Sequence, residues 1–154
     1  MGAGKSTLSQ QLAQENNAVL ISEDEWLASL YPGQIHTFDD YREYSAKLKP
    51  LLAEHINRLL LTGTNVVMDF PANTRGQRKW LRELGTAAGI VGNLVYLRAS
   101  DETCLARLAI RREQQPSRAK FDTESVFNEV TAYFQEPDED EGFRLELIDA
   151  NIEK

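Results

Sequence analysis

The stretch that decides the fold is MGAGKST, residues 1–7. Its last four residues, GKST at positions 4–7, match the second half of the pattern G-x-x-x-x-G-K-[ST]. In that pattern glycine lets the loop wrap closely around a phosphate, and backbone N–H groups at the start of the following helix bind the phosphate oxygens. A helix that merely begins with these four residues is the alternative interpretation. The amphipathic stretch at positions 8–14, LSQQLAQ, predicts that a helix does follow the loop.

Two side chains and the backbone of this loop carry its chemistry. Lys5 is long enough to reach the β- and γ-phosphates of a nucleotide, and the Ser6 hydroxyl suits a ligand of Mg²⁺. The loop therefore predicts a nucleotide-phosphate site with Ser6 as a metal ligand. The predicted nucleotide-binding residues of this segment are Gly2, Ala3, Gly4, Lys5, Ser6 and Thr7.

The phosphate loop lacks its opening half. Counting back from Gly4, the first glycine of the pattern falls two residues before Met1, and no strand precedes the loop. Met1 therefore resembles an internal residue of a longer loop. The sequence predicts an N-terminally truncated chain, and leaves open how well this chain holds a nucleotide.

Composition indicates a globular cytoplasmic protein. The chain has 154 residues, 42% of them hydrophobic, which suits one domain with one core. No apolar run approaches the roughly 18 residues of a membrane span, and no signal sequence is visible. Cys104 is the single cysteine, which is typical of a reducing cytosol, and we expect it in the core. A net charge of -7 disfavours long nucleic acid as the main partner and favours a small metabolite.

Short apolar runs alternate with longer amphipathic stretches. Strands are predicted at residues 17–22, 65–70, 93–97 and 143–148. Helices are predicted after the loop, from Asp39 or Asp40 to Gly63, after a capping box at Thr74 and Gln77, along Leu105, Leu108 and Ala109, and after Asp122 as a cap. The acidic segment 136–141, EPDEDE, is expected to be a solvated connection. Apolar strands separated by helices predict an α/β three-layer fold with a parallel sheet.

A cluster of acids follows the first of these strands, in the sequence SEDE at positions 22–25. Ligands of open α/β sheets bind beyond the carboxyl ends of the strands. A carboxylate there can accept a proton from a substrate hydroxyl that attacks the γ-phosphate. Asp24 is the predicted base and a predicted substrate-binding residue. Because Ser22 and Glu25 also have capping-box spacing, a purely structural helix cap is the alternative.

A second acid, Asp69, stands near the end of the predicted strand at 65–70. An apolar strand that ends in aspartate is the general shape of the motif whose carboxylate holds Mg²⁺ or its water shell, so Asp69 is a predicted metal residue. Asn73 and Arg78 follow at the same rim and are predicted to contact substrate or phosphate. A turn role for Asn73 and a surface charge at Arg78 are the alternatives.

A third group of polar residues lies late in the chain. Arg107 and Arg111 are four residues apart and therefore share a helix face. Two arginines aimed inward can stack on a base and neutralise the charge that develops on a transferred phosphoryl group. Residues 111–121 are polar and include Pro116, which predicts a flexible lid that excludes water. The alternative is a solvated helix with exposed arginines.

The order of these motifs resembles a known family. GAGKST, SEDE, VVMDFPANT with Arg78, and CLARLAIRR span nearly the whole chain. They are similar to the bacterial "predicted kinase" branch of AAA-type P-loop proteins, near polynucleotide kinase, zeta toxins and chloramphenicol phosphotransferase. The resemblance implies a sheet ordered 2-3-1-4-5, with strand 1 absent from this chain, and one kinase-like domain over residues 1–154. It also implies ATP with Mg²⁺ and transfer of the γ-phosphate to a hydroxyl.

The resemblance also implies roles for individual residues. Lys5 and Ser6 match the phosphate-loop lysine and the metal-binding hydroxyl, and Asp24 matches the aspartate that acts as base. Asp69 falls where these families place an acid near metal and substrate. Arg107 and Arg111 match the lid arginines that contact adenine and phosphates in these families. The predicted catalytic residues are accordingly Lys5, Asp24 and Arg111.

Three functions remain open on the sequence. The first is a small-molecule kinase with an acceptor pocket above Asp24, walled by the helix from Asp39 to Leu61. The second is a kinase of 5′-hydroxyl nucleic-acid ends, for which Arg75, Arg78, Lys79 and Arg82 form a basic cluster. The third is a nucleotide-binding switch or inactive fragment that acts through partners. The expected partners are a nucleotide and a small hydroxyl-bearing substrate, with no membrane.

Overall fold

The computed structural model of the protein describes residues 1–151, apart from the side chain at position 117. Within this range strands and helices alternate along the chain. The elements are α1 (Lys5–Glu15), β1 (Val19–Ser22), α2 (Glu23–Leu30), α3 (Phe38–Leu61), β2 (Val66–Asp69), α4 (Arg75–Ala87), β3 (Asn93–Arg98), α5 (Asp101–Gln114), α6 (Glu124–Ala132) and β4 (Arg144–Asp149). Short 3-10 turns span Pro116–Arg118 and Glu139–Glu141.

The strands form two parallel pairs. β1 pairs with β2 and β3 pairs with β4, each in parallel. Parallel neighbours need a crossover connection, which α2 with α3 supplies in the first pair and α5 with α6 in the second. In the predicted order 2-3-1-4-5, strand 1 is the one absent from this chain. The pair β1–β2 therefore corresponds to strands 2 and 3, and the pair β3–β4 to strands 4 and 5. The predicted α/β fold is confirmed.

The described chain packs as two compact units. The β1–β2 unit comprises Ser6–Pro71 and Trp80–Ile90. The β3–β4 unit comprises Met1–Lys5, Ala72–Lys79 and the chain from Val91 onward. The single domain over residues 1–154 stays a prediction.

In the β1–β2 unit, one face of α3 forms the core. Leu48, Leu52 and Ile56 are spaced four residues apart, so they fall on the same side of the helix, and all are buried. They cluster with Ile21 of β1 and Leu27 of α2. Burying a side chain of this size contributes roughly 1.5–3 kcal/mol relative to leaving it in water. This helix therefore supplies much of the unit's stability.

The β3–β4 unit has a smaller core. Cys104 and Leu108 of α5 pack with Phe127 of α6, and all three are buried. Burial raises the pKa of the Cys104 thiol, which keeps it protonated and unreactive. The predicted core position of Cys104 is confirmed.

Helix starts agree with the sequence in one case and differ in two. The capping box at Thr74 and Gln77 is present, since the Gln77 N–H donates to the Thr74 Oγ1 and the Thr74 N–H donates to Gln77 Oε1. Ser22 precedes α2 without a side-chain cap hydrogen bond, so the capping box with Glu25 is not formed. Asp122 is not the cap of α6, because Thr123 accepts from the Val126 N–H instead.

The acidic segment 136–141 is more than a solvated connection. Its last residue, Glu141, is buried and bonded to Arg78, although Asp138, Glu139 and Asp140 are exposed.

Among the helices of residues 1–151, none is long and apolar enough to cross a membrane.

Candidate functional site

The N-terminal loop has the backbone of an anion-binding turn. Gly2 and Gly4 have φ of +75° and +99°, a left-handed conformation that glycine adopts without steric cost. α1 begins directly afterwards at Lys5, and its first turn carries no acidic side chain. Residues 4–7 are exposed. The N–H groups at the start of a helix whose first turn carries no acidic residue suit phosphate oxygens.

Gly2 is packed tightly within the β3–β4 unit. A Cβ at this position would lie 2.6 Å from the carbonyl oxygen of Cys104, which real Cβ atoms essentially never approach. The loop therefore rests directly on the backbone of α5, and a side chain at position 2 would lift it away. The incomplete sequence motif did not indicate this contact, because it is made with a residue about a hundred positions later.

Arg107 connects the loop to the end of β4. Its Nη1 donates to the carbonyl oxygen of Ala3 at 3.2 Å, and its Nη2 donates to that of Ala150 at 2.9 Å. The guanidinium thus orders the loop by holding one of its carbonyls. Contact between Arg107 and adenine stays a prediction.

Arg111 is bound by an aspartate. Its Nε and Nη2 donate to the two carboxylate oxygens of Asp122 at 2.6 and 2.5 Å, while Arg118 Nε lies 3.6 Å from the same carboxylate. Asp122 has only 1% of its surface exposed, whereas the Arg111 side chain is 31% exposed. Such a two-pronged pair orients a guanidinium firmly. The catalytic role of Arg111, and a flexible lid at residues 111–121, stay predictions.

Arg78 is held inside the β3–β4 unit with no exposed surface. Its Nε and Nη2 donate to Glu141 at 2.7 and 2.8 Å, and its Nη1 donates to the carbonyls of Ala72 and Gln135. The hydrogen bond from Arg78 holds the pKa of Glu141 below its ordinary value. A side chain without exposed surface cannot reach a substrate in this conformation. The structure thus gives Arg78 a structural role in place of the predicted substrate contact.

Asn73 lies half-buried just before α4. Its backbone N–H donates to Gln77 Oε1, and its carbonyl oxygen accepts from the Gln135 N–H at 2.8 Å. These bonds are those of a turn residue, the alternative that the sequence left open. Contact between the Asn73 side chain and substrate stays a prediction.

The β1–β2 unit brings the two predicted acids to one edge of its strands. Ser22, the last residue of β1, lies directly opposite Asp69, the last residue of β2. Asp24 follows two residues later in the first turn of α2 and is exposed, whereas Asp69 is 5% exposed. Carboxyl ends of parallel strands are the usual location of ligands in α/β folds. The predicted base and the predicted metal residue therefore occupy the expected edge.

Sequence reasoning missed the environment of Asp24. The Tyr41 hydroxyl lies 3.0 Å from Asp24 Oδ1 and 2.7 Å from Glu23 Oε2. Glu23 is 1% exposed, and its other oxygen accepts from the Ser45 Oγ at 2.5 Å. Burial and the two neighbouring carboxylates raise the pKa of Tyr41 above its ordinary value, so the phenol keeps its proton. The available sequence signal was weak: an acid next to Asp24, and a tyrosine and a serine on one face of α3.

Oxygen donors for a metal are present in the same unit. Over residues 1–151, no group of three or more His, Cys, Asp or Glu side chains is arranged to hold an ion. Mg²⁺ in phosphoryl-transfer sites is held by one or two protein oxygens together with substrate phosphates and waters. The exposed hydroxyl of Ser6 and the carboxylate of Asp69 are donors of the required kind.

Comparison with known proteins identifies relatives. A family model described as an AAA domain matches residues 1–137. Among curated proteins, none matches the chain significantly. A solved structure of a provisionally assigned kinase from Chloroflexus aurantiacus is similar with a TM-score of 0.74 and 21% sequence identity, over 97% of this chain and 83% of that one. At this identity the similarity concerns the fold alone.

Proposed function

The chain belongs to the AAA domain family and has a P-loop kinase-like fold, and from this premise we propose that it is an ATP-dependent kinase. It transfers the γ-phosphoryl group of Mg-ATP to a hydroxyl of a small molecule. One observation carries this proposal: the exposed Asp24 follows β1 and the buried Asp69 ends β2, so both lie at the same edge of two paired parallel strands. A base and a metal residue at one sheet edge are what phosphoryl transfer to a hydroxyl requires.

The chain's own residues perform binding and proton transfer. Backbone N–H groups at the start of α1, together with the Lys5 ammonium, bind phosphate oxygens. Ser6 and Asp69 would hold Mg²⁺. Bound Mg-ATP supplies the phosphoryl group and, as ADP, the leaving group. Asp24 orients the acceptor hydroxyl and accepts its proton while the new oxygen–phosphorus bond forms.

A panel of hydroxyl-bearing metabolites with γ-labelled ATP tests this proposal. We expect labelled product from at least one sugar, nucleoside or antibiotic, and slow release of ADP with water as the acceptor. Asp24→Asn should lower kcat at least about 100-fold, since general bases contribute at least this much. Mg-ATP binding, measured by calorimetry, should remain nearly unchanged. Turnover that survives in Asp24→Asn would show that Asp24 is not the base.

Action on 5′-hydroxyl nucleic-acid ends receives less support. Within the basic cluster that favoured it, Arg75 lies 3.3 Å from both Asp138 and Asp140, and Arg78 is fully buried. Binding to a nucleic-acid backbone needs cations available to phosphates. A single-stranded 5′-hydroxyl oligonucleotide in the same assay discriminates the two acceptor classes. Labelling of the oligonucleotide alone would overturn the small-molecule proposal.

A nucleotide-binding switch without turnover is the third alternative. It predicts that Mg-ATP binds and that ADP is not released above the rate of a buffer blank, with every acceptor and with water. The kinase proposal predicts release that depends on Asp24. The same calorimetric titration and ADP assay therefore separate the two.

A further inference from the structure

We propose that Tyr41 is a positioning residue that holds the Asp24 carboxylate in place for proton transfer, with Glu23 as its buried anchor. The inference rests on the proposed function, because it assigns a partner to the base of that reaction. Neither Tyr41 nor Glu23 has a role in phosphate or metal binding in the proposal above.

The geometry places a single proton between two carboxylates. The Tyr41 hydroxyl lies 2.7 Å from Glu23 Oε2 and 3.0 Å from Asp24 Oδ1. A phenol has one proton to donate, so the two acids share it. Glu23 and Asp24 are consecutive residues, and both carboxylates approach this one hydroxyl. Tyr41 therefore both orients Asp24 and reduces its repulsion from Glu23.

Rigid elements hold this donor. Glu23 is 1% exposed and is fixed from α3 a second time, by the Ser45 hydroxyl at 2.5 Å. Tyr41 stands in the first turn of α3, one residue after the capping box that Thr37 and Asp40 form. A catalytic group is positioned best when its partners are locked by packing and hydrogen bonds on regular elements. Asp24 itself is exposed, and the hydrogen bond from Tyr41 is one contact that limits its rotation.

The protonation state of Tyr41 agrees with this role. Burial is the largest cause that raises the pKa of Tyr41, followed by the charges of Asp24 and Glu23. The phenol therefore remains a donor throughout the neutral and mildly alkaline range. When Asp24 accepts a proton from the acceptor hydroxyl, the negative charge beside the Tyr41 hydroxyl is lost at Asp24 and kept at Glu23. The phenolic O–H then turns fully to Glu23, and no proton leaves the Tyr41–Glu23 pair.

Two matched variants test the inference. Tyr41→Phe keeps the ring but removes the hydrogen bonds to both acids, whereas Tyr44→Phe removes from the same helix a phenol hydroxyl that bonds Gln34 and neither acid. Turnover is measured as ADP release with the acceptor found in the metabolite panel and with water. We expect Tyr41→Phe to lower kcat about ten-fold or more without changing the KM for Mg-ATP, because a misplaced base slows the chemical step alone. Tyr44→Phe should retain the wild-type kcat.

A readout that does not depend on turnover accompanies the kinetics. The ¹³C chemical shift of the Asp24 carboxyl at pH 8, assigned with Asp24→Asn, should differ from wild type in Tyr41→Phe and not in Tyr44→Phe. Thermal unfolding of each variant checks that it is folded. Because Phe retains the packing of the ring, a folded Tyr41→Phe is expected.

The outcomes separate this inference from the proposed function. Equal effects of the two variants on kcat, or a wild-type kcat in Tyr41→Phe while Asp24→Asn is inactive, would overturn the positioning role and leave the kinase proposal intact. Full activity in Asp24→Asn, or no turnover in the wild type, would overturn the proposed function and this inference with it. A kcat loss confined to Tyr41→Phe, with the matching carboxyl shift, supports both.

Discussion

At the scale of single residues, Gly2 is the most restrictive position of the phosphate loop. Its φ of +75° and the 2.6 Å approach of the Cys104 carbonyl to a Cβ together exclude any side chain. We expect Gly2→Ala to lower the melting temperature and to weaken Mg-ATP binding about ten-fold or more, because the loop must move off α5. Differential scanning fluorimetry and calorimetric titration measure the two effects.

Gly33 provides the control for backbone strain. It has a nearly equal φ of +69°, but a Cβ there would meet nothing within 4 Å. Gly33→Ala should therefore cost only the roughly 1–2 kcal/mol of a left-handed alanine and should not affect nucleotide binding. If both variants bind Mg-ATP as the wild type does, the contact with Cys104 does not shape the nucleotide site.

At the same scale, the position of a residue along a strand could be predicted from the sequence, whereas its contacts with other elements could not. The positions of Asp24 and Asp69 at the carboxyl ends of β1 and β2 could be predicted, because each follows an apolar run and the rule about strand ends is local. Tyr41 could not be assigned to Asp24, since their contact depends on how α3 packs against α2. The sequence predicts Asp122 as a helix cap, whereas in the fold it binds Arg111, eleven positions earlier. Pairs across elements are set by packing, which one sequence does not display.

At the scale of elements, a buried ion pair ties the segment 136–141 to the first turns of α4. Glu141→Gln removes the charge that Arg78 faces while keeping the side-chain size. We expect a loss of about 3–5 kcal/mol in the free energy of unfolding, because a buried guanidinium is left without its anion. Urea denaturation at pH 7 measures it. Glu139→Gln, on the same turn but exposed, should change stability little.

The same pair predicts a dependence on pH. The pKa of Glu141 in the folded chain lies below its ordinary value of 4.5, chiefly because of the hydrogen bond from Arg78. Its stabilising contribution is complete above that ordinary value and is lost as the pH falls through the lower folded value. Stability should thus fall on acidification more steeply in the wild type than in Glu141→Gln. Parallel slopes for the two proteins would show that this pair does not govern acid unfolding.

Element boundaries followed the sequence where a local signal decided them. The capping box at Thr74 and Gln77 marks the start of α4, and an apolar stripe predicted α3 to within a few residues. The capping box that spacing suggests between Ser22 and Glu25 does not form, because Ser22 is the last residue of β1 and is 4% exposed. Its neighbour Glu23 is turned inward to Tyr41 and Ser45. Burial therefore overrode a cap that spacing alone had suggested.

At the scale of the whole molecule, the two parallel strand pairs carry different parts of the predicted machinery. The β1–β2 unit contains the proposed base Asp24, the proposed metal residue Asp69 and the buried network that includes Tyr41. The β3–β4 unit contains the glycines of the loop and the arginines of α5. The family and the α/β fold could be predicted because the short motifs stand in the right order. The acceptor could not, since its pocket depends on side chains that no local pattern marks.

Binding of Mg-ATP is the whole-molecule prediction, since a ligand that binds only the folded chain raises its melting temperature by mass action. At a concentration about 100-fold above Kd the stabilisation is about 2.7 kcal/mol, which corresponds to roughly 5–10 °C for a chain of this size. The shift should be smaller with EDTA, because Asp69 and Ser6 then have no metal to hold. Lys5→Met should abolish most of it, whereas Lys47→Met, which removes an exposed lysine paired with Glu43, should leave it unchanged. A shift that is equal in all three proteins would show that the nucleotide binds elsewhere than at this loop.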